Sequence, residues 1–162
     1  MALQFEQVKL MQLFVAGRPY AQSRPRFVNG RVISSISPGL KEWRARLRKE
    51  VRAASSALEM QHLEGALCVD LVFFIPIKQK SRHGQVCYTK PDKDNLEKPV
   101  FDVMEGAKLF KKGDGQIGAG ETIKIWCAYG QEGVSVKLSR IRTKKSPQRD
   151  AEGVPDAPDW LA

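Results

Sequence analysis

Residues 66–77, with the sequence ALCVDLVFFIPI, form the most β-prone stretch of the chain. Branched and aromatic side chains dominate it, as is typical of strands in folded proteins. A polar and basic loop follows at residues 78–91 (KQKSRHGQVCYTKP). This stretch therefore predicts a strand, and the elements on either side of it decide the fold class.

Three elements are predicted before this strand. The apolar run at residues 10–16 (LMQLFVA) favours a strand, and Asn29-Gly30 between short apolar segments favours a β-hairpin, because this dipeptide supplies the positive φ of a tight turn. Ser37-Pro38-Gly39 then opens a helix of about 20 residues, since apolar residues recur at helical spacing in residues 40–58. That apolar stripe consists of Leu40, Trp43, Leu47, Val51 and Ala54.

Three further elements are predicted after the strand. A second helix covers roughly residues 95–110, and two strands at residues 122–130 and 133–141 follow as a hairpin. Four or five strands with two main helices predict an α+β fold, a single compact domain with a mixed or antiparallel sheet.

The composition limits the classes of function. The chain has 162 residues and a formal net charge of +9, and its isoelectric point is near 9.6. A basic surface of this kind favours a polyanionic partner, with nucleic acid as the first candidate. Because no apolar run is long enough for a membrane span, no membrane partner is expected. Three widely spaced cysteines, Cys68, Cys87 and Cys127, predict reduced thiols and a cytoplasmic location.

The charge is unevenly distributed along the chain. All 27 Lys and Arg residues precede Asp150, whereas four of the 18 acidic residues follow Arg149. The end of the chain is also rich in proline and lacks periodicity, which is typical of disorder. We therefore expect a folded domain at residues 1–142 and a disordered acidic tail at residues 143–162. A tail that folds back on the basic surface as a nucleic-acid mimic is the alternative.

The second predicted helix has two contrasting faces. At about 100° per residue, its apolar residues fall on one side and its polar residues on the other. The apolar face comprises Leu96, Val100, Val103, Met104 and Ala107, and the polar face comprises Asp94, Asn95, Lys98, Asp102 and Glu105. Asp94 or Asn95 is expected to cap the helix, and Pro99 is expected to bend its start.

Carboxylates flank this helix. Asp92 and Asp94 point to the same side if the segment is extended, and Asp114 follows 20 residues after Asp94. Asp114 can join the pair only if the chain turns back along the helix. Three converging carboxylates would bind a hard cation such as Mg²⁺ or Mn²⁺. The alternative is that the acids cap the helix and are solvated, and the residues alone leave both interpretations open.

The same segment resembles the signature of a known family. KPDKDNLEK at residues 90–98, followed by Asp102 and by DGQI at residues 114–117, is similar to the motif of RusA-type Holliday-junction resolvases. Gly17-x-Pro19 and Arg24-Pro25-Arg26 resemble the N-terminal stretch of this family, often found in phage and prophage members. The chain departs from the family pattern at two positions. Gly113 stands where the family usually has an acidic residue, and Pro99 stands where the family usually has a helix-forming residue.

The resemblance implies a small, homodimeric, Mg²⁺-dependent endonuclease that cuts four-way DNA junctions in paired strands. It implies that Asp92, Asp94 and Asp114 are the catalytic, metal-binding acids and that Lys98 is the essential lysine. Mg²⁺ is then the cofactor, with Mn²⁺ as a possible substitute, and branched DNA is the partner. The location implied is the cytoplasm of a bacterial or phage-infected cell.

Other residues are expected to support these groups. Lys98, one turn from Asp94, could contact the scissile phosphate or form an i,i+4 ion pair. Asp102 is expected to pair with Lys98 and orient it, and Asn95 to cap the helix or steer the acids. The residues predicted to bind DNA are Arg24, Arg26, Lys90, Lys93, Lys111 and Lys112.

Two other functions are compatible with these residues. One is a non-catalytic basic DNA-binding module in which the acids only cap a helix. The other is a metal-dependent nuclease that acts on flaps or forks rather than on four-way junctions.

Overall fold

The structure is a computed structural model, and it describes residues 5–23, 25–33 and 36–143. The predicted acidic tail lies outside the described residues from residue 144 onwards. Among the helices of the described ranges, none has the length and apolar character needed to cross a membrane.

Seven strands and two α-helices occur in this part of the chain. Three strands precede the first helix, one lies between the helices, and three follow the second helix. In chain order they are β1 (Phe5–Ala16), β2 (Arg26–Val28), β3 (Arg31–Ile33), α1 (Pro38–Ala57), β4 (Leu67–Pro76), α2 (Lys93–Gly106), β5 (Ile117–Ala119), β6 (Thr122–Cys127) and β7 (Gly133–Thr143). Short 3₁₀ turns cover Lys80–Arg82 and Asp114–Gln116.

Strand β4 lies in the middle of a five-stranded mixed sheet. On one side it pairs antiparallel with β7, which in turn pairs antiparallel with β1. On the other side its start pairs parallel with β5 and the rest of it pairs parallel with β6. The α+β prediction is therefore confirmed, with a mixed sheet and two main helices.

The predicted hairpin of the last two strands is wrong. β6 and β7 are neighbours in sequence, but both pair with β4, from opposite sides. β4 is apolar along its length, and it takes the central position in the sheet, with both of its edges paired. The connection at residues 128–132 therefore carries the chain past β4 instead of forming a tight turn between partners.

The hairpin predicted around Asn29-Gly30 is confirmed. β2 and β3 pair antiparallel in a separate two-stranded sheet. Asn29 has φ of 49° and Gly30 has φ of 73°, the left-handed conformations that a two-residue hairpin turn requires.

Both helices bury most of their predicted apolar stripes; Ala54 and Ala107 are only half-buried, and Ala107 follows the end of α2. Ser37 caps α1, with its hydroxyl accepting a hydrogen bond from the backbone N–H of Leu40 at 3.2 Å. Their buried side chains pack into one hydrophobic core with the alternate residues of β4 from Leu67 to Ile75. These helix residues are Leu40, Trp43, Leu47 and Val51 of α1, and Leu96, Val100, Val103 and Met104 of α2. The packing holds α2 in a defined orientation against the sheet.

The opposite face of the sheet carries exposed apolar side chains. Phe14 and Ile123 are exposed there, and the ring of Phe14 contacts that of Phe74 edge-to-face, with 5.9 Å between the centroids. An ion pair between Asp70 and Lys137, at 3.3 Å, lies among them. Burial would raise the pKa of Asp70, but hydrogen bonds from the Glu121 N–H, Lys137 and Cys68 together lower it.

The three cysteines are free and buried. Burial raises the pKa of the Cys68 and Cys127 thiols. A raised thiol pKa leaves little of the nucleophilic thiolate at neutral pH. These thiols therefore have a structural role.

We expect Leu71→Ala to lower the free energy of unfolding by about 2–5 kcal/mol, because it leaves a cavity in the core. Leu71 of β4 is fully buried, whereas Ile123 on the paired strand β6 is 41% exposed. Ile123→Ala should therefore cost much less. Urea denaturation monitored by Trp fluorescence measures both, and equal losses would contradict the assignment of the core face.

Candidate active site

The N-terminal end of α2 presents two of the predicted catalytic acids. Asp92 is the N-cap residue, with φ −69° and ψ 143°, and its side chain makes no capping hydrogen bond. Asp94 lies in the first turn, and both residues are exposed. The expectation that Asp94 or Asn95 caps the helix is wrong. Because the Asp92 carboxylate does not bind the helix N-terminus, it remains available to a ligand.

Lys124 holds the segment that leads into this helix. Its ammonium group donates to the carbonyl of Thr89 at 2.6 Å and to that of Pro91 at 2.8 Å. Lys124 lies on β6, opposite Phe73 of β4, so these bonds attach the residues before Asp92 to the sheet. A single lysine in a strand carries no sequence signal of its contacts, so this role of Lys124 is visible only in the tertiary structure.

Pro99 frees a backbone acceptor within α2. Proline lacks an N–H, so Pro99 leaves the carbonyl of Asn95 without its intrahelical donor. The backbone N–H of Gln22 donates to that carbonyl at 2.8 Å. The proline within α2 thus creates an attachment point for the segment before β2, in the same turn as Asp94.

Arg44 reinforces that attachment from α1. Its guanidinium donates to the side-chain carbonyl of Gln22 and, at 2.9 Å, to the carboxylate of Asp102. Arg44 thus joins α1, α2 and the N-terminal segment. The predicted pair of Asp102 with Lys98 is wrong, because Asp102 pairs with an arginine that is distant in sequence and adjacent in space.

Lys98 lies one turn after Asp94 in α2 and is exposed. Within residues 5–23, 25–33 and 36–143, it forms no ion pair. Lys98 thus has a free ammonium group one helical turn from the acid pair.

Asp114 lies near the opposite end of α2. It begins the 3₁₀ turn Asp114–Gln116, and the residue before it, Gly113, has φ of 80°. A Cβ atom on Gly113 would come within 2.7 Å of the Glu105 carboxylate, in the last turn of α2. This explains the departure from the family pattern at Gly113, because an acid there would be strained and would meet another carboxylate.

The Gln116 side chain has a structural role. Its amide nitrogen donates to the carbonyls of Leu63 and Gly65, both at 2.9 Å, and its amide oxygen accepts from the backbone N–H of Lys112 at 2.6 Å. The side chain therefore holds the Asp114 turn against the start of β4. The Asp-x-Gln pattern in the sequence is explained by this anchoring.

The single chain does not gather the three acids into one pocket. Glu105 lies eleven positions after Asp94 in α2, which corresponds to roughly 16 Å along the helix axis. Asp114 adjoins the Glu105 end, and the chain turns back along the helix only after it. Consistent with this, the described part of the chain contains no group of three His, Cys, Asp or Glu residues that could hold a metal ion.

The predicted DNA-binding residues fall at both ends of α2. Lys90 and Lys93 are exposed near the acid pair, and Lys93 lies 3.9 Å from Glu97. Lys112 is exposed near Asp114. Lys111, also there, hydrogen-bonds Glu64 and thereby lowers the pKa of that carboxyl group. Arg24 lies outside the described residues, and Arg26 is described only as a backbone position of β2.

The site and the charge together define a class of protein. A basic α+β domain with exposed paired carboxylates beside a free lysine carries the groups that DNA-cleaving enzymes use. The family model of endodeoxyribonuclease RusA matches residues 16–139. The chain belongs to this family, and it is therefore an endodeoxyribonuclease of the Holliday-junction resolvase type. A comparison with curated proteins found no match.

We expect Arg44→Ala to lower the free energy of unfolding by about 1–3 kcal/mol, because it removes partly buried, charge-assisted hydrogen bonds. The matched control is Arg46→Ala on the same helix, where the pair with Glu42 is solvent-exposed. Exposed pairs contribute less than about 1 kcal/mol. Urea denaturation compares the two variants, and a loss as large for Arg46→Ala would contradict the structural role of Arg44.

Proposed function

We propose that this protein is a Mg²⁺-dependent endonuclease that resolves four-way DNA junctions by paired, symmetric nicks. The observation that carries the proposal is the exposed Asp92–Asp94 pair at the start of α2, in which Asp92 makes no capping hydrogen bond. Membership of the RusA endodeoxyribonuclease family supports the junction as substrate.

The carboxylates of Asp92 and Asp94 are suitable ligands for a magnesium ion. Mg²⁺ is typically held by one or two carboxylates together with substrate phosphate oxygens and water. Two exposed carboxylates at a helix start provide such a donor set without a closed protein cage. When bound, the ion supplies charge neutralisation and an acidified water for phosphodiester hydrolysis. Mn²⁺ accepts the same oxygen ligands.

Lys98 is the proposed ligand of the DNA phosphate beside the acid pair. Its ammonium lies one turn from Asp94 and has no ion-pair partner among the described residues. It therefore binds the scissile phosphate or the leaving oxygen. Lys124 and the Gln22–Asn95 hydrogen bond keep the start of α2 in place while the strand binds.

Asp114 joins the site from a second subunit. One chain holds Asp114 near the far end of α2 from Asp92 and Asp94, whereas a homodimer brings copies of both ends together. Two equivalent strands must be cut at a four-way junction, and a two-fold axis provides two equivalent sites. Each site then combines Asp92 and Asp94 of one protomer with Asp114 of the partner subunit.

We expect Asp92→Asn, Asp94→Asn and Asp114→Asn each to reduce junction cleavage in Mg²⁺ at least about 100-fold. Loss of residues that merely support a metal ligand already costs 10- to 100-fold. Junction binding should persist or tighten, because each change removes a negative charge that repels phosphate. Cleavage of a labelled mobile junction and gel-shift binding measure both effects.

Glu42→Gln on α1 is the matched control, since it neutralises an exposed carboxylate that lies outside the acid set and pairs with Arg46. It should cleave like the unmodified protein. Binding without cleavage by the unmodified protein in Mg²⁺ or Mn²⁺ would favour a non-catalytic module. Faster cutting of flaps than of four-way junctions would favour the other nuclease function.

Mixed dimers test the shared site directly. A heterodimer of Asp92→Asn and Asp114→Asn subunits has one site in which all three acids are unchanged. We expect it to nick one strand of the junction, whereas each mutant homodimer is inactive. Purification through two different affinity tags isolates the heterodimer. An inactive heterodimer would instead place all three acids of each site in one chain.

A further inference from the structure

A row of arginines lines a groove between the two helices. Arg44, Arg48 and Arg52 follow one another at four-residue intervals on α1 and face Asp102, Val103 and Gly106 of α2. The groove has a volume of about 320 Å³. At 1.5 Å per residue, the row extends roughly 12 Å along the axis of α1.

The charges in this groove are not balanced within the described structure. Arg44 pairs with Asp102, the single carboxylate among the residues that line the groove. Arg48 and Arg52 are exposed, and among the described residues neither has an ion-pair partner. Like charges one turn apart destabilise a helix. An anion between them would offset this repulsion.

The groove leads away from the catalytic end of α2. At one end, Arg44 binds Gln22, whose backbone bonds Asn95 in the first turns of α2. At the other end, the segments after both helices meet, where the Leu63 N–H donates to the Leu109 carbonyl at 2.7 Å. The two helices therefore run side by side in the same direction. The arginine row therefore lies beside the last turns of α2, from Asp102 towards the Asp114 turn.

We propose that Arg48 and Arg52 bind consecutive backbone phosphates of a DNA strand that leaves the active site. One strand of B-DNA carries a phosphate for about every 3.4 Å of helix axis, so the roughly 6 Å along α1 between Arg48 and Arg52 spans about two phosphates. Guanidinium groups suit this ligand because their donors match phosphate oxygens in pairs. The proposal rests on the proposed function and adds a strand-binding surface to the site.

The test is the salt dependence of junction binding. In the double variant Arg48→Ala/Arg52→Ala, the slope of log Kd against the logarithm of the salt concentration should fall by about 1.8. Each lost phosphate contact accounts for about 0.9 of that slope. The Kd should rise about tenfold or more at fixed salt. Both quantities are measured by fluorescence anisotropy with a labelled four-way junction, in a salt series from about 50 to about 200 mM KCl.

Arg46→Ala/Lys49→Ala is the matched control. It removes two positive charges from the same helix, but neither residue lines the groove. The salt-dependence slope of this control variant should change by less than half of the change seen in Arg48→Ala/Arg52→Ala. Arg48→Lys/Arg52→Lys keeps both charges, so the slope should be retained while the affinity falls with the loss of paired hydrogen bonds. Thermal melting followed by circular dichroism shows whether the alanine variant is folded. If it folds poorly, the lysine variant provides the test of the paired hydrogen bonds.

Equal slopes for the groove variant and the control would overturn the proposal, because non-specific attraction would then explain the effect. An unchanged slope in Arg48→Ala/Arg52→Ala would overturn it as well. Failure of the proposed function is seen separately, as a lack of cleavage by the unmodified protein.

Discussion

The pairing of β4 on both of its edges is the constraint on which the other elements depend. Its alternate residues from Leu67 to Ile75 are buried against the helices, while its backbone bonds β7 on one side and β5 and β6 on the other. Because such a strand has no free edge, neighbouring segments must take positions around it. The register with β6 places Lys124 beside the segment that enters α2.

A second constraint acts within α2. Pro99 removes one intrahelical hydrogen bond, and the released carbonyl of Asn95 binds the N–H of Gln22. A proline in a helix interior ordinarily costs about 3 kcal/mol, and an external donor recovers part of that cost. Arg44 then joins Gln22 to Asp102. The start of α2, with Asp92 and Asp94, is therefore held by contacts from three other parts of the fold.

The two ends of α2 carry different groups of the proposed active site. The first end carries the acid pair and Lys98, and the other carries Asp114 on a turn anchored by Gln116. A single rigid helix cannot bend to bring these ends together. This separation is the physical reason for proposing a site shared between two protomers. The arginine groove beside α2 gives the proposed DNA strand a path along the same helix.

Sequence patterns alone were enough to locate most of the local elements. Apolar periodicity located α1 and α2, Asn29-Gly30 located a hairpin turn, and the motif placed Asp92, Asp94 and Lys98 at the start of a helix. These features depend on residues within a few positions of each other, where backbone geometry alone sets the relation. The family motif in the sequence also predicted the class of enzyme, an endodeoxyribonuclease, and the family comparison confirmed that class.

Only the tertiary structure decided the non-local relations. It separated β6 from β7 by inserting β4, gave Asp102 to Arg44 instead of Lys98, and left Asp114 far from the acid pair. Each outcome depends on how distant segments pack around a shared core. Spacing along the chain carries no information about such packing, because many arrangements of the same strands and helices bury the same apolar faces.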